Sequence, residues 1–302
     1  ILYLHGPQGS AKSTASRMLK RIIDPSRIEV SEIPRNKQEL IQIMAHHWFL
    51  TFDNISEIHD VLSDIMCRAV TGSGFSKREL YTDDNDVIYD FKRCLSINGI
   101  NVLVTKPDLL ERSVLIELDR VSKDTRRNEQ DLMAEFEIAL PLILGAMFTT
   151  VSKAMQLRPT IFLNDLPRMA DFALWGYAIS EALGYGGQQF LDAYYKSLGM
   201  QNEQVIADDD VANFVAELME GQPMWEGTAS ELLKEFTDSI DGSDKRKDIP
   251  KAANEFSGRL NSVKTNLAEA GIVIERTSAQ RKKIIRIYKV SEKIDTIETS
   301  TQ

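Results

Sequence analysis

Short apolar runs alternate with segments of helical period through the first part of the chain. Residues 1–5 (ILYLH) form an apolar run that stops at a glycine and read as a buried strand. Residues 12–23 (KSTASRMLKRII) carry apolar positions at helical spacing. Residues 47–53 (HWFLTFD), 93–98 (RCLSIN) and 113–118 (SVLIEL) read as three further buried strands. Strands alternating with helices predict an α/β core around a mostly parallel sheet covered on both faces. From residue 129 the pattern turns helical, with candidate helices at 129–157, 165–183, 187–199 and 208–219. Gly184, Gly186 and Gly187 separate the second from the third. Residues 220–228 (EGQPMWEGT) read as a linker. A helix at 228–239, a polar turn at 241–248, a helix at 252–270 and two strands at 272–277 and 283–289 follow. The polar tail 291–302 is expected to be disordered. The pattern therefore divides into a core over 1–128, a helical extension over 129–220, a C-terminal module over 221–290 and the tail.

Composition refines this only in places. The 302 residues are 43% hydrophobic, enough for about two domains. The chain opens at Ile1 within an apolar run, which leads us to expect a longer protein. Two cysteines, Cys67 and Cys94, supply no disulfide framework and no metal-ligand spacing, and the chain is expected to be cytoplasmic. The most apolar stretch, 132–157, has an uncharged part shorter than the roughly 20 residues a membrane span needs, so it reads as a buried core helix and no membrane partner is expected. Net charge is −9, but residues 251–290 hold nine Lys/Arg against Glu255, Glu269 and Glu275, a local net of +6. That segregation points to an anionic partner for the C-terminal module.

The chemistry begins at the end of the first strand. Gly6-Pro7-Gln8-Gly9-Ser10-Ala11-Lys12-Ser13, followed by Thr14, matches the strand–loop–helix pattern G-x-x-x-x-G-K-[ST], with Ala11 in the last glycine position. Backbone N–H groups of such a loop surround phosphates, Lys12 would reach the β- and γ-phosphates of ATP, and Ser13 would hold Mg²⁺. An alanine at position 11 is tolerable only if that position does not need positive φ. The second strand ends in Asp53, which suits the acid that shares Mg²⁺ with Ser13; its other reading is a cap for a helix over 54–66. Asn54 follows where many ATPases place a water-activating glutamate. Asn54 cannot accept a proton, so it positions the water or Glu57 or another acid serves as base. Asn98, at the end of the third strand, reads either as a sensor of the γ-phosphate or as the start of a turn with Gly99. Arg112 reads either as a transition-state cation supplied across a subunit boundary or as a surface arginine paired with Asp108 or Glu111. His5, His46, His47 and His59 have no metal-site spacing.

The order of loop, strand-Asp53-Asn54, TGSGFSKRELYTD, strand-Asn98 and PDLLERS resembles the helicase-type P-loop ATPase part of phage and plasmid primase–helicase proteins, which are similar to superfamily-three and AAA+ ring ATPases. The resemblance covers about residues 1–160 and, more loosely, the chain through 290. It implies an AAA+-like fold, a hexameric ring with ATP sites at subunit boundaries, and movement along DNA. By that match Lys12 and Ser13 serve the nucleotide, Asp53 serves Mg²⁺, Asn98 is the sensor and Arg112 the finger from a neighbour.

Helix, turn, helix and hairpin at the C-terminus suggest a winged helix, with 252–270 as recognition helix bringing Arg259 and Lys264 to DNA. Its wing would carry Arg276, Arg281, Lys282 and Lys283 to phosphates; a protein-docking module is the other reading. The combined expectation is an ATP-dependent replicative DNA helicase. The alternatives are a non-translocating DNA-binding regulator or loader, and a small-molecule kinase.

Overall fold

A computed structural model describes residues 1–55, 58–72, 74–78, 86–100, 107–240, 250–279 and 282–290. Glu57, Arg281, the turn at 241–248 and the tail 291–302 lie outside the described residues. The chain divides into two compact units, Ile1–Ser197 and Leu198–Gln302.

In the first unit the chain order is β1 (Leu2–His5), α1 (Lys12–Ile23), α2 (Lys37–His46), β2 (Phe49–Phe52), α3 (Asp60–Thr71), β3 (Phe75–Arg78), β4 (Asp86–Tyr89), β5 (Cys94–Gly99), α4 (Pro107–Leu110) and β6 (Val114–Glu117). Next come α5 (Glu129–Leu157), α6 (Ala170–Leu183) and α7 (Gly187–Asp208), which carries the unit boundary. The four expected strands pair in parallel in the order β2-β5-β1-β6. Tyr3, Leu4, Phe49, Leu50, Phe52, Leu95 and Ile97 are all buried, as a sheet covered on both faces requires. An isolated parallel bridge from Ser31 to Phe52 extends the sheet beyond β2. The hairpin β3–β4 was not anticipated; it pairs Phe75 with Tyr89 and Arg78 with Asp86.

A partly buried ion pair fastens α1 to the sheet. Lys20 is 2% exposed, and its Nζ donates to Asp24 Oδ2 at 2.8 Å and to the Phe49 carbonyl at 2.6 Å. The same Asp24 oxygen accepts the backbone N–H groups of Trp48 and Phe49 at 2.8 and 3.0 Å. Burial pushes the Asp24 carboxyl up, but the Lys20 and backbone hydrogen bonds outweigh it and hold the group below the usual carboxylate range.

The long helix α5 corrects the expectation of a buried core helix. Only Phe136 and Ala154 of its 29 residues are buried, while Ile138 and Leu142 are 80% and 79% exposed. By length and composition the segment Glu129–Thr160 could cross a membrane. Its N-terminal turns are tied to α1 by ion pairs, Glu129 to Arg17 and Glu137 to Arg21. High hydropathy states that water is unfavourable for a segment, not that its own chain covers it.

The second unit contains α8 (Asp210–Glu220), β7 (Met224–Gly227), α9 (Ala229–Ser239), α10 (Ala253–Ser262), α11 (Lys264–Glu269), β8 (Ile272–Ala279) and β9 (Lys282–Lys289). The strands form an antiparallel sheet in the order β7-β9-β8. Phe214 meets Phe236 edge-on and Phe236 meets Phe256 at a tilt in the core beneath it, with centroids 5.2 and 5.5 Å apart. Thr228 and Glu231 close a reciprocal cap at the start of α9. The single helix expected over 252–270 is two helices broken at Val263, which is buried with φ −101° and ψ 1°.

Candidate functional site

The carboxyl ends of the parallel strands converge on the loop that leaves β1. Because the chain moves from β1 to one side of the sheet and returns to the other at β6, this end of β1 is a switch point, where open α/β sheets form a crevice. Gly6 has φ +145°, and a methyl group there would lie 2.2 Å from the Leu118 carbonyl oxygen. Gly6 is therefore required both by conformation and by the close approach of the chain leaving β6. Ala11 caps α1 with φ 60° and ψ 23°, in the left-handed region. The condition for an unstrained alanine at position 11 is therefore not met: the loop takes that turn before the helix without a glycine to supply it.

Lys12 folds back over the loop. Its Nζ donates to the Gly6 carbonyl at 2.7 Å, the Pro7 carbonyl at 2.9 Å and Ser10 Oγ at 3.1 Å. The ammonium is thus held at the mouth of the loop by the segment that the sequence assigned to phosphate. His5, the last residue of β1, lies beside Glu117 across the sheet. Burial lowers the His5 pKa, opposed by Glu117 and assisted by Lys12.

Asp53 ends β2, and Asn54 turns the chain with φ 53°. Asn54 N–H donates to Asp53 Oδ1 at 2.7 Å and to Asn98 Oδ1 at 2.9 Å. The Asn98 Nδ2 in turn donates to Ser16 Oγ of α1 at 3.3 Å. Asn98 is 1% exposed. It ties the end of the acid-bearing strand to α1, one turn beyond Ser13. Asp53 does not cap a helix over 54–66: α3 starts at Asp60 after His59. Asn98 and Gly99 lie within β5, paired in parallel with Leu4 and His5, and form no hairpin turn.

Arg112 stands apart from this cluster. Ile1 N donates to the Arg112 carbonyl at 2.8 Å, which puts Arg112 at the opposite end of β1 from the loop, about 13 Å away along a four-residue strand. Its guanidinium donates to Asp108, as the ion-pair reading expected, and Arg168 also reaches Asp108 and Glu111.

The candidate nucleic-acid contacts separate into two groups. Arg259 Nε donates to Asp209 Oδ2 at 2.9 Å and is turned into its own unit rather than toward a ligand. Arg276 Nη2 donates to the Ser257 carbonyl at 3.0 Å. Lys264 and Lys283 are exposed at the start of α11 and on β9. Lys282 has its backbone in β9, and Arg281 lies outside the described residues. Among the described residues no group of three or more His, Cys, Asp or Glu could hold a metal ion.

Ser16, which hydrogen-bonds Asn98, gave no sign in the sequence, being one polar residue of an ordinary helix face. The same is true of the chain leaving β6, whose Leu118 and Val121 touch the loop: Leu118 N–H donates to the His5 carbonyl at 2.8 Å and Val121 N–H to the Gly9 carbonyl at 3.0 Å.

The family model described as actinomycete integrative conjugative element replication protein matches residues 1–204, and that of the AICE RepA C-terminal domain matches residues 211–300. Among curated proteins none matches the chain. A solved structure titled as the A form apo structure of the NrS-1 C terminal region is similar at 14% identity and a TM-score of 0.38. The similarity covers 96% of this chain and 66% of that one.

Proposed function

The chain belongs to the family of actinomycete integrative conjugative element replication proteins, and from that premise we propose that it is an ATP-driven DNA motor, a replicative helicase. The site reading is that of a P-loop, AAA+-like ATPase. Backbone N–H groups from Gln8 to Thr14 surround the triphosphate, Lys12 moves from the loop carbonyls to the β- and γ-phosphates, and Ser13 and Asp53 hold Mg²⁺. Bound Mg²⁺ would neutralise charge on the transferring phosphoryl group. The observation that carries this reading is the bridge through Asn98, which joins the strand end bearing Asp53 to α1 behind the loop.

In the second unit, the succession of helices and a final hairpin supports a winged helix that binds DNA. Among the described residues of the expected contacts, Lys264 and Lys283 are exposed. Arg112 would act on the site of a neighbouring subunit in a ring, of six subunits by the resemblance, because no path within one chain brings it to Lys12.

The decisive experiment is ATP hydrolysis with and without single-stranded DNA. Several-fold stimulation, lost in Lys12→Ala, supports the motor; hydrolysis that no DNA stimulates overturns it. One observation favours a second reading. Arg112 is already engaged by Asp108, which leaves it less free to serve a neighbour's site and so favours a non-translocating, ATP-dependent DNA-binding loader. Sedimentation with MgATP separates the two: a ring supports the motor, a monomer the loader.

A further inference from the structure

The segment leaving β6 carries two arginines onto the loop. Leu118 and Val121 fasten it to His5 and Gly9 on the side of β1 away from β5 and β2. A methyl group on Gly9 would lie 3.4 Å from Arg126 Nη2 and 3.9 Å from Arg120 Nε. Both arginines are exposed, and neither pairs with an acid among the described residues. Their neighbours behave otherwise: Arg17, Arg21, Arg112, Arg127 and Arg168 each engage a carboxylate. With Lys12 they place three cations around one short loop, an arrangement that repels itself until an anion enters.

We infer that Arg120 and Arg126 are phosphate-binding residues of the nucleotide site, acting within the same chain from the β6 side, across the loop from Asp53 and Asn98. This rests on the loop being a nucleotide site. A guanidinium fork matches phosphate oxygens, and two forks beside Gly9 favour a polyphosphate over a monophosphate. The sequence hid them because they follow the last core strand, outside every motif, and reach the loop only through the β1–β6 pairing.

The test uses the full chain and measures dissociation constants for MgATP, MgADP and AMP, with thermal midpoints alongside. Variants are Arg120→Gln, Arg126→Gln, both together, their Lys counterparts, and Lys12→Ala. Each Gln variant is expected to weaken MgATP about tenfold and the pair about a hundredfold, with AMP and the midpoint little changed and partial recovery in the Lys variants. An unchanged MgATP constant in the double variant overturns the inference, provided Lys12→Ala loses binding. So does an equal loss for all three nucleotides with a lowered midpoint, which marks a structural role. If Lys12→Ala itself binds MgATP normally, the reading of the loop fails instead.

Discussion

The side-chain oxygen of Asn98 accepts the backbone N–H of Asn54 at 2.9 Å across 44 residues of sequence, and its amide nitrogen reaches Ser16 on α1. Removing that bridge should affect both folding and turnover. Asn98→Ala is expected to cost about 1–3 kcal/mol of stability, since buried polar partners lose their bonds, and to lower ATP turnover by misplacing Asp53. Asn98→Asp keeps the acceptor for Asn54 but not the donor to Ser16, and adds charge beside Asp53. It should lose turnover more than stability. Denaturant unfolding and steady-state ATPase measure the two. Full turnover in Asn98→Ala would remove the bridge from the mechanism.

Ala11 adopts φ 60°, where a β-carbon is strained. Ala11→Gly should therefore stabilise the chain, by about 1 kcal/mol, against a smaller opposing loss from the freer unfolded chain. Ala11→Val should destabilise it. Thermal unfolding decides the sign, and a destabilised Ala11→Gly contradicts the strain.

Asp24 and Lys20 form the partly buried pair that fixes α1. Asp24→Ala leaves the buried Lys20 ammonium with only the Phe49 carbonyl and is expected to cost about 1.5–3 kcal/mol. Lys20→Met should cost less, because it removes the charge rather than stranding it. Equal losses in urea unfolding would show that packing, not charge, sets the effect.

Burial lowers the His5 pKa below the ordinary value of 6.5. The unfolded chain then binds more protons than the folded chain between the two pKa values, so stability rises with pH across that interval. The His5 contribution is complete above 6.5 and fades as pH falls through 6.5 toward the folded value. His5→Gln should flatten that part of the stability profile, measured by urea unfolding from pH 5 to 8. A slope unchanged by the substitution assigns the dependence to other groups.

Arg259 and Lys283 should separate stability from binding. Arg259→Ala breaks the contact with Asp209 and should lower the unfolding midpoint of the second unit while leaving the salt dependence of DNA binding alone. Lys283→Ala should leave the midpoint alone and reduce the magnitude of the salt slope by about one. Fluorescence anisotropy across a salt series gives the slope; a changed slope in Arg259→Ala would return that residue to the interface.

The four parallel strands were legible because runs such as ILYLH and HWFLTFD are apolar over lengths that suit strands buried on both faces. The loop was legible because glycines, a lysine and a serine stand at a particular spacing between an apolar run and a helical period. The hairpin β3–β4 was hidden within a polar segment. Arg120, Arg126 and Ser16 were hidden for a different reason: their proximity to the loop or to Asn98 is created by strand pairing, and nothing local marks it. The break at Val263 escaped notice because Phe256, Leu260, Val263 and Leu267 keep one continuous helical period through it. Arg259 could be seen as a charge, but its partner Asp209 is 50 residues away.

The order β2-β5-β1-β6 also bears on how the unit assembles. Leu2 lies beside Ser96 on one flank and Val114 on the other. During synthesis the strand that leads into the loop therefore leaves the ribosome long before either flanking strand exists. It must be kept from pairing elsewhere until residue 117 has emerged, and closing loops of that length makes such a sheet slow to form. The loop after β1 is therefore made before β6 but completed only when the chain leaving β6 docks against it.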